Sequence, residues 1–223
     1  MARTNEHPFR RFLRHNALSL VALALVLVSL AGQLLAGHRV YNAERLELGL
    51  LPLTMGAYLT SGHAMSATFE NWESEFLQMG MFVMLTVVLR QKGSAESRPM
   101  SKSQEDPRIE RGPKPWPVRA GGIWKALYAH SLAAAFFAMF FVSFALHADG
   151  SWRRDAIERV ARHEPTIGLL AYLQSADFWF ESFQNWQSEF LAVLSLVVLS
   201  IWLRQKDSPQ SKPLEAPHSQ TGT

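Results

Sequence analysis

The residues best placed to do chemistry are two glutamates, Glu75 and Glu189. Each sits in the string Asn-Trp-x-Ser-Glu-Phe, and each string runs into an uncharged, largely apolar segment. A carboxyl group at that depth in an apolar helix must face a protein interior or a wet cavity and needs a partner. Two kinds of chemistry fit. One is a structural hydrogen bond between helices; the other is reversible binding of a proton or cation by the pair. In helical projection Asn71, Glu75 and Gln78 share one face, as do Asn185 and Glu189. Trp72 and Trp186 stand where an interfacial aromatic belt is expected. Two further polar residues, Gln33 and His147, lie near the ends of the preceding apolar runs. Antiparallel pairing of consecutive helices predicts Gln33 beside Glu75 and His147 beside Glu189.

Other chemistry is weakly supported. His38, His63 and His163 lack metal-ligand spacing, so no metal site is expected. No Gly-x-Ser-x-Gly, phosphate-binding loop or dinucleotide fingerprint occurs, so no catalytic residue, enzyme activity or cofactor is expected. The 223 residues contain no Cys, which removes disulfides and thiolate chemistry. A net charge of +3 raises the question of nucleic acid, but the Lys and Arg residues flank apolar runs and no binding motif accompanies them. No nucleic-acid partner is expected.

The elements that position the acids come from a duplication. Phe69–Leu77 returns at Phe183–Leu191, a shift of 114 residues, with seven of nine positions identical. Over Phe69–Pro99 against Phe183–Pro213, sixteen of 31 positions agree without a gap, and both copies end their apolar run in Leu-Arg-Gln-Lys. Ala17–Ala36 is a run of twenty uncharged residues, enough at about 1.5 Å per residue to cross a hydrocarbon layer of roughly 30 Å. The uncharged stretch Phe76–Leu89 has only fourteen residues, so the second span must take in part of the motif. The expected fold is an all-α membrane protein with four transmembrane helices, at about 17–36, 70–90, 126–148 and 184–204. They form two parallel two-helix repeats: repeat one over 1–98, a basic Pro-rich linker over 99–122, repeat two over 123–206, and a disordered tail over 207–223. Short surface helices are expected at Ala43–Leu48, closed by Gly49, and at Trp152–His163, stopped by Pro165. Head, linker and tail hold 16 of the 22 Lys and Arg residues, and the two other connections hold six. The positive-inside rule then places both termini in the cytoplasm and both long connections outside.

Arg11–Leu20, Gly32–His38, the two Asn-Trp-x-Ser-Glu-Phe motifs, the Leu-Arg-Gln-Lys ends and Pro213–Gly222 together cover nearly the whole chain, and in them the chain resembles a family of small bacterial membrane proteins known only as a domain of unknown function. The resemblance implies a bacterial integral membrane protein and brings no activity or site residues; the expected location is the inner membrane, as a multi-pass protein. Members often carry Tyr-Asn after the first span and a similar pair after the third. Here Tyr41-Asn42 is present, but Asp155-Ala156 stands in the second copy. The expected role is a non-enzymatic structural or interaction component of the envelope. Its partners would be the lipid bilayer and a second copy or a membrane protein. The alternative is a small proton- or ion-coupled transporter or channel using Glu75 and Glu189.

Overall fold

A computed structural model describes residues 7–101, 105 and 109–222, and all regular structure among them is helical. Arg3, Lys102, Pro107 and Arg108, which belong to the head and linker as read from the sequence, lie outside the described residues. The order is α1 (Pro8–His15), α2 (Ala17–Glu47), α3 (Met55–Leu59), α4 (Gly62–Val88), α5 (Trp116–Ala120), α6 (Gly122–Ala129), α7 (Ser131–Ala161), α8 (Leu169–Tyr172) and α9 (Ala176–Trp202).

Three helices are long and apolar enough to cross a membrane: α2, α7 and α9. None of the most apolar stretch of α2 is buried by protein, and Leu18, Val21, Leu25 and Val28 are exposed, a surface that water would not tolerate at this length. The expected fourth span, on α4, does not meet the same measure. Glu70, Asn71, Glu73 and Glu75 fall within its first half, with Gln78 just beyond, and lower its hydropathy.

Two helices run further than expected. The short helix expected at Ala43–Leu48 is the last part of α2, which passes through Gly37 without a break. The helix expected at Trp152–His163 is the end of α7. Both ends close the same way. Leu50 N–H donates to Arg45 C=O at 2.7 Å with Gly49 at φ +71°, and Glu164 N–H donates to Arg159 C=O at 2.8 Å with His163 at φ 61°. This is the six-to-one bond of a Schellman cap, which needs a left-handed residue after the helix.

The chain forms two compact units. One comprises the described residues up to Thr68 with Gly150–Ile167; the other comprises Phe69–Asp149 and the described residues from Gly168 onward. In the first, the N-terminal end of α4 meets the C-terminal part of α7 at two glycines. A Cβ on Gly62 would lie 2.5 Å from the Gly150 carbonyl oxygen, so the approach is limited by backbone rather than by side chains. The Ser66 and Ser151 hydroxyls bond beside it at 2.6 Å. Asn42 grips the backbone of Leu53 in both directions: its Oδ1 accepts from Leu53 N–H at 2.7 Å and its Nδ2 donates to Leu53 C=O at 3.0 Å. Asp155, one residue before the position matching Asn42, pairs with Arg159 at 2.7 Å instead.

In the second unit, α4 and α9 end in matching structures. Arg90 Nη1 donates to the carbonyls of Thr86, Val87 and Leu89, and Arg204 Nη1 to those of Ser200, Ile201 and Leu203. Each arginine satisfies helix-end carbonyls that lack a partner within the helix. Beyond them, Gln91 N–H donates to Ser97 Oγ and Gln205 N–H to Ser211 Oγ, both at 2.9 Å.

In the tail, residues 207–222 form turns and bends. The buried Lys212 ammonium donates to the carbonyls of Gly93, Ile201, His218 and Gln220. Gly222 N–H reaches Ser94 C=O at 2.9 Å, and Gly93 N–H reaches Thr221 Oγ1 at 2.9 Å. One buried cation gathering four carbonyls orders a polar segment that composition alone describes as loose.

Candidate functional site

A buried polar site lies in the second unit, where α4, α7 and α9 each supply ionisable side chains. Its centre is the pair Glu73 and His147, each 0% exposed. His147 Nδ1 and Glu73 Oε2 are 2.9 Å apart, and Trp186 Nε1 donates to Glu73 Oε1 at 3.1 Å. Both carboxylate oxygens are therefore held. With Nδ1 turned to Glu73, the imidazole presents its Nε2 to the other side. There it faces Glu181 Oε2 at 3.6 Å and Glu70 Oε2 at 3.9 Å, and it makes no hydrogen bond.

An aromatic wall fixes the imidazole. The Phe178 ring lies 5.1 Å from that of His147, at 31°, and is itself 0% exposed. Phe144 and Tyr172 meet Phe178 edge-on, at 5.5 and 5.8 Å. Phe178 is also the residue whose N–H is capped by Ser175 Oγ at the start of α9, so the helix start and the site share one residue. Glu73, whose carboxylate accepts from both the imidazole and the indole, is fully buried, so each of its bonds is strong and each unmade bond costly.

The acids singled out from the sequence form a second, more open contact. The Glu75 and Glu189 carboxyl groups lie close enough to interact electrostatically, with Glu75 exposed and Glu189 half-buried. Gln78 Nε2 donates to the Glu189 backbone carbonyl at 3.3 Å. Asn185 Nδ2 donates to the Glu181 backbone carbonyl, and Asn71 accepts through its own carbonyl from Ser74. Trp72 is half open and packs edge-on against Phe69, consistent with an interfacial position. Trp186 is drawn into the polar centre through its indole N–H.

The expected partners of the acids are not the observed ones. Gln33 Nε2 donates to the Ala67 carbonyl at 2.8 Å rather than meeting Glu75, and His147 reaches Glu181 rather than Glu189. Both pairings fall eight residues, about two helical turns, earlier than expected. The cause is the same in both cases. α2 and α7 continue well past the apolar run, and α4 and α9 start before the motif, which moves the helix contact toward the connection.

Sequence reasoning missed Glu70, Glu73 and Glu181. A signal was present. The positions matching Glu70, Glu73, His147 and Glu181 at the 114-residue shift are Gln184, Gln187, Gln33 and Ala67. All four members of the cluster stand where the two copies differ, while attention to what the copies share leads elsewhere.

The first unit holds a separate polar cleft of about 310 Å³ lined by Tyr41, Glu44, Arg45, His63, Arg154 and Glu158 among others. His63 stacks on Tyr41 at 4.6 Å and its Nδ1 lies 3.2 Å from the Tyr58 hydroxyl. Burial, assisted by the Arg154 charge, lowers the His63 pKa to about 4. Burial, with Glu44 and Tyr41 nearby, pushes the Tyr58 hydroxyl up.

A family model described as a domain of unknown function, DUF6766, matches residues 9–223. The chain matches no curated protein and no solved structure.

Proposed function

Given that the chain belongs to the DUF6766 family, a domain of unknown function, we propose that it is a non-enzymatic, four-span membrane protein built from two parallel two-helix repeats. Its role is that of a structural or interaction component of a bacterial inner membrane, with both termini cytoplasmic and lipid, a second copy or a membrane protein as partners. The observation that carries this reading is the set of polar ties among α4, α7 and α9. Glu73 bonds to His147 and Trp186, and Gln78 to the Glu189 backbone, so the helices are locked by interhelical hydrogen bonds rather than by a moving part. The repeat arrangement is supported by the hydrogen bonds that recur 114 residues apart at Arg90 and Arg204, at Gln91 and Gln205, and at the two helix caps. The fourth span, on α4, is supported by its 27-residue length and by the uncharged run that follows the motif. The distribution of Lys and Arg supports the orientation.

A second reading is proton- or ion-coupled transport. It is favoured by the proximity of the Glu75 and Glu189 carboxyl groups, which repel one another when both are charged and so could share a proton or a cation. One experiment separates the two. Proton and cation flux is measured in liposomes carrying the wild type or the Glu75→Gln/Glu189→Gln variant. The structural reading expects background flux from both. Flux in the wild type that the variant abolishes would replace it with the transport reading.

A further inference from the structure

We propose that Glu70, His147 and Glu181 form a binding site for one divalent first-row transition-metal ion of the Mn²⁺, Fe²⁺ or Zn²⁺ class. The site goes beyond the structural role above and does not depend on it. Three potential ligand atoms, His147 Nε2 and one carboxylate oxygen from each glutamate, lie within 4.8 Å of one another. The imidazole is 0% exposed, and its Nε2 is an unpartnered polar atom aimed between the two carboxylates.

The distances argue for a shared ion rather than for a simple ion pair. A protonated Nε2 would draw a carboxylate oxygen to about 2.8 Å. The oxygens instead stand at 3.6 and 3.9 Å, too far for a hydrogen bond, while the same ring makes a normal 2.9 Å contact through Nδ1. Ligand atoms at about 2.0–2.2 Å around a common metal lie roughly 3.0–3.5 Å apart. Closing on a metal shortens the imidazole–carboxylate spacings by up to about 0.9 Å and the spacing between the two carboxylate oxygens, at most 4.8 Å, by up to about 1.8 Å, a side-chain movement open to two partly exposed glutamates.

The surroundings are those of a ligating histidine. Its second nitrogen is oriented by a buried carboxylate, Glu73, which is in turn held by the Trp186 indole. A carboxylate behind the imidazole fixes the tautomer that leaves the lone pair for the metal and raises its basicity. Two carboxylate oxygens and one imidazole nitrogen, with no thiolate, suit Mn²⁺, Fe²⁺ or Zn²⁺ and leave coordination positions open. The ligands come from α4, α7 and α9, so one ion ties three helices. The matching positions of the other copy, Gln184, Gln33 and Ala67, lack a charged or imidazole donor, so a single site per chain follows.

The test uses the full chain in detergent, stripped with chelator and titrated separately with Mn²⁺ and Zn²⁺ by equilibrium dialysis. The expected result is one ion per chain for at least one of the two metals. Affinity falls at least about tenfold in both Glu70→Gln and Glu181→Gln and is unchanged in Glu75→Gln/Glu189→Gln. Glutamine at 70 matches Gln184 of the other copy, and each variant is compared with the wild type by circular dichroism and gel filtration. Absence of stoichiometric binding to the wild type overturns the assignment, as does wild-type affinity in either single variant or loss in the double variant. His147 would then be a buried ion-pair residue alone.

Discussion

Truncating Glu73 tests how much the buried polar centre contributes to the fold. In Glu73→Ala two donors, His147 Nδ1–H and Trp186 Nε1–H, lose their acceptor in a site where the imidazole is 0% exposed. An unsatisfied buried donor costs about 1–3 kcal/mol, and breaking a buried charged pair about 3–5. Interhelical hydrogen bonds in membrane proteins average only about 0.6 kcal/mol, because the unfolded chain in a micelle finds other partners. Two such bonds set a floor near 1 kcal/mol, and full burial moves the expectation to about 3. Glu73→Gln keeps one acceptor oxygen and turns the amide NH₂ toward the other donor, so about half that loss is expected. Adding Trp186→Phe removes the leftover donor, and the double variant should be less destabilised than the sum of the singles. The assay is reversible unfolding in mixed micelles followed by tryptophan fluorescence, with the exposed Glu47→Gln as a surface control. A Glu73→Ala loss below about 1 kcal/mol, or strictly additive singles, would refute the reasoning.

Two further outcomes follow from the first unit. The His63 pKa of about 4 lies below the ordinary 6.5, so the unfolded chain takes up the proton first as pH falls. Stability is therefore unaffected above pH 6.5 and drains away between pH 6.5 and 4, by about 1–3 kcal/mol. Melts at pH 7.5 and 5 should differ more for the wild type than for His63→Gln, and equal differences would dismiss the effect. His163 occupies the left-handed position that Gly49 fills at the end of α2. His163→Gly should raise stability by about 0.5–1 kcal/mol in the same melts, since a side chain costs about 1–2 kcal/mol there and glycine returns part as unfolded-state entropy.

The helical class and the apolar runs are legible because twenty uncharged residues between charged flanks have few other solutions. The caps at Gly49 and the Arg-Gln-Lys ends could be read for the same local reason. Helix length was harder. Nothing in Gly37-His38-Arg39 marks whether a helix stops at the polar boundary or carries on, and α2 carries on to Glu47. That continuation shifts the helix contact by two turns, which is why Gln33 and His147 meet Ala67 and Glu181. The polar centre was illegible for a different reason. Glu70, Glu73, His147 and Glu181 are far apart in sequence and lie on three helices, and periodicity within one helix says nothing of what the next presents. Lys212 is a similar case, since a lone lysine in a Pro-rich tail reads as solvated until four carbonyls are brought to it.

The central claim is the four-span topology, and α4 decides it. The chain has no cysteine, so single-cysteine labelling with a membrane-impermeant maleimide maps it cleanly. The exposed positions Glu47, Lys114, Thr166 and Ser219 sample the two long connections, the linker and the tail. Four spans predict that Glu47→Cys and Thr166→Cys react in intact cells, and that Lys114→Cys and Ser219→Cys react only after permeabilisation. If α4 does not cross, Thr166→Cys becomes protected and Ser219→Cys reacts from outside, which would contradict the account.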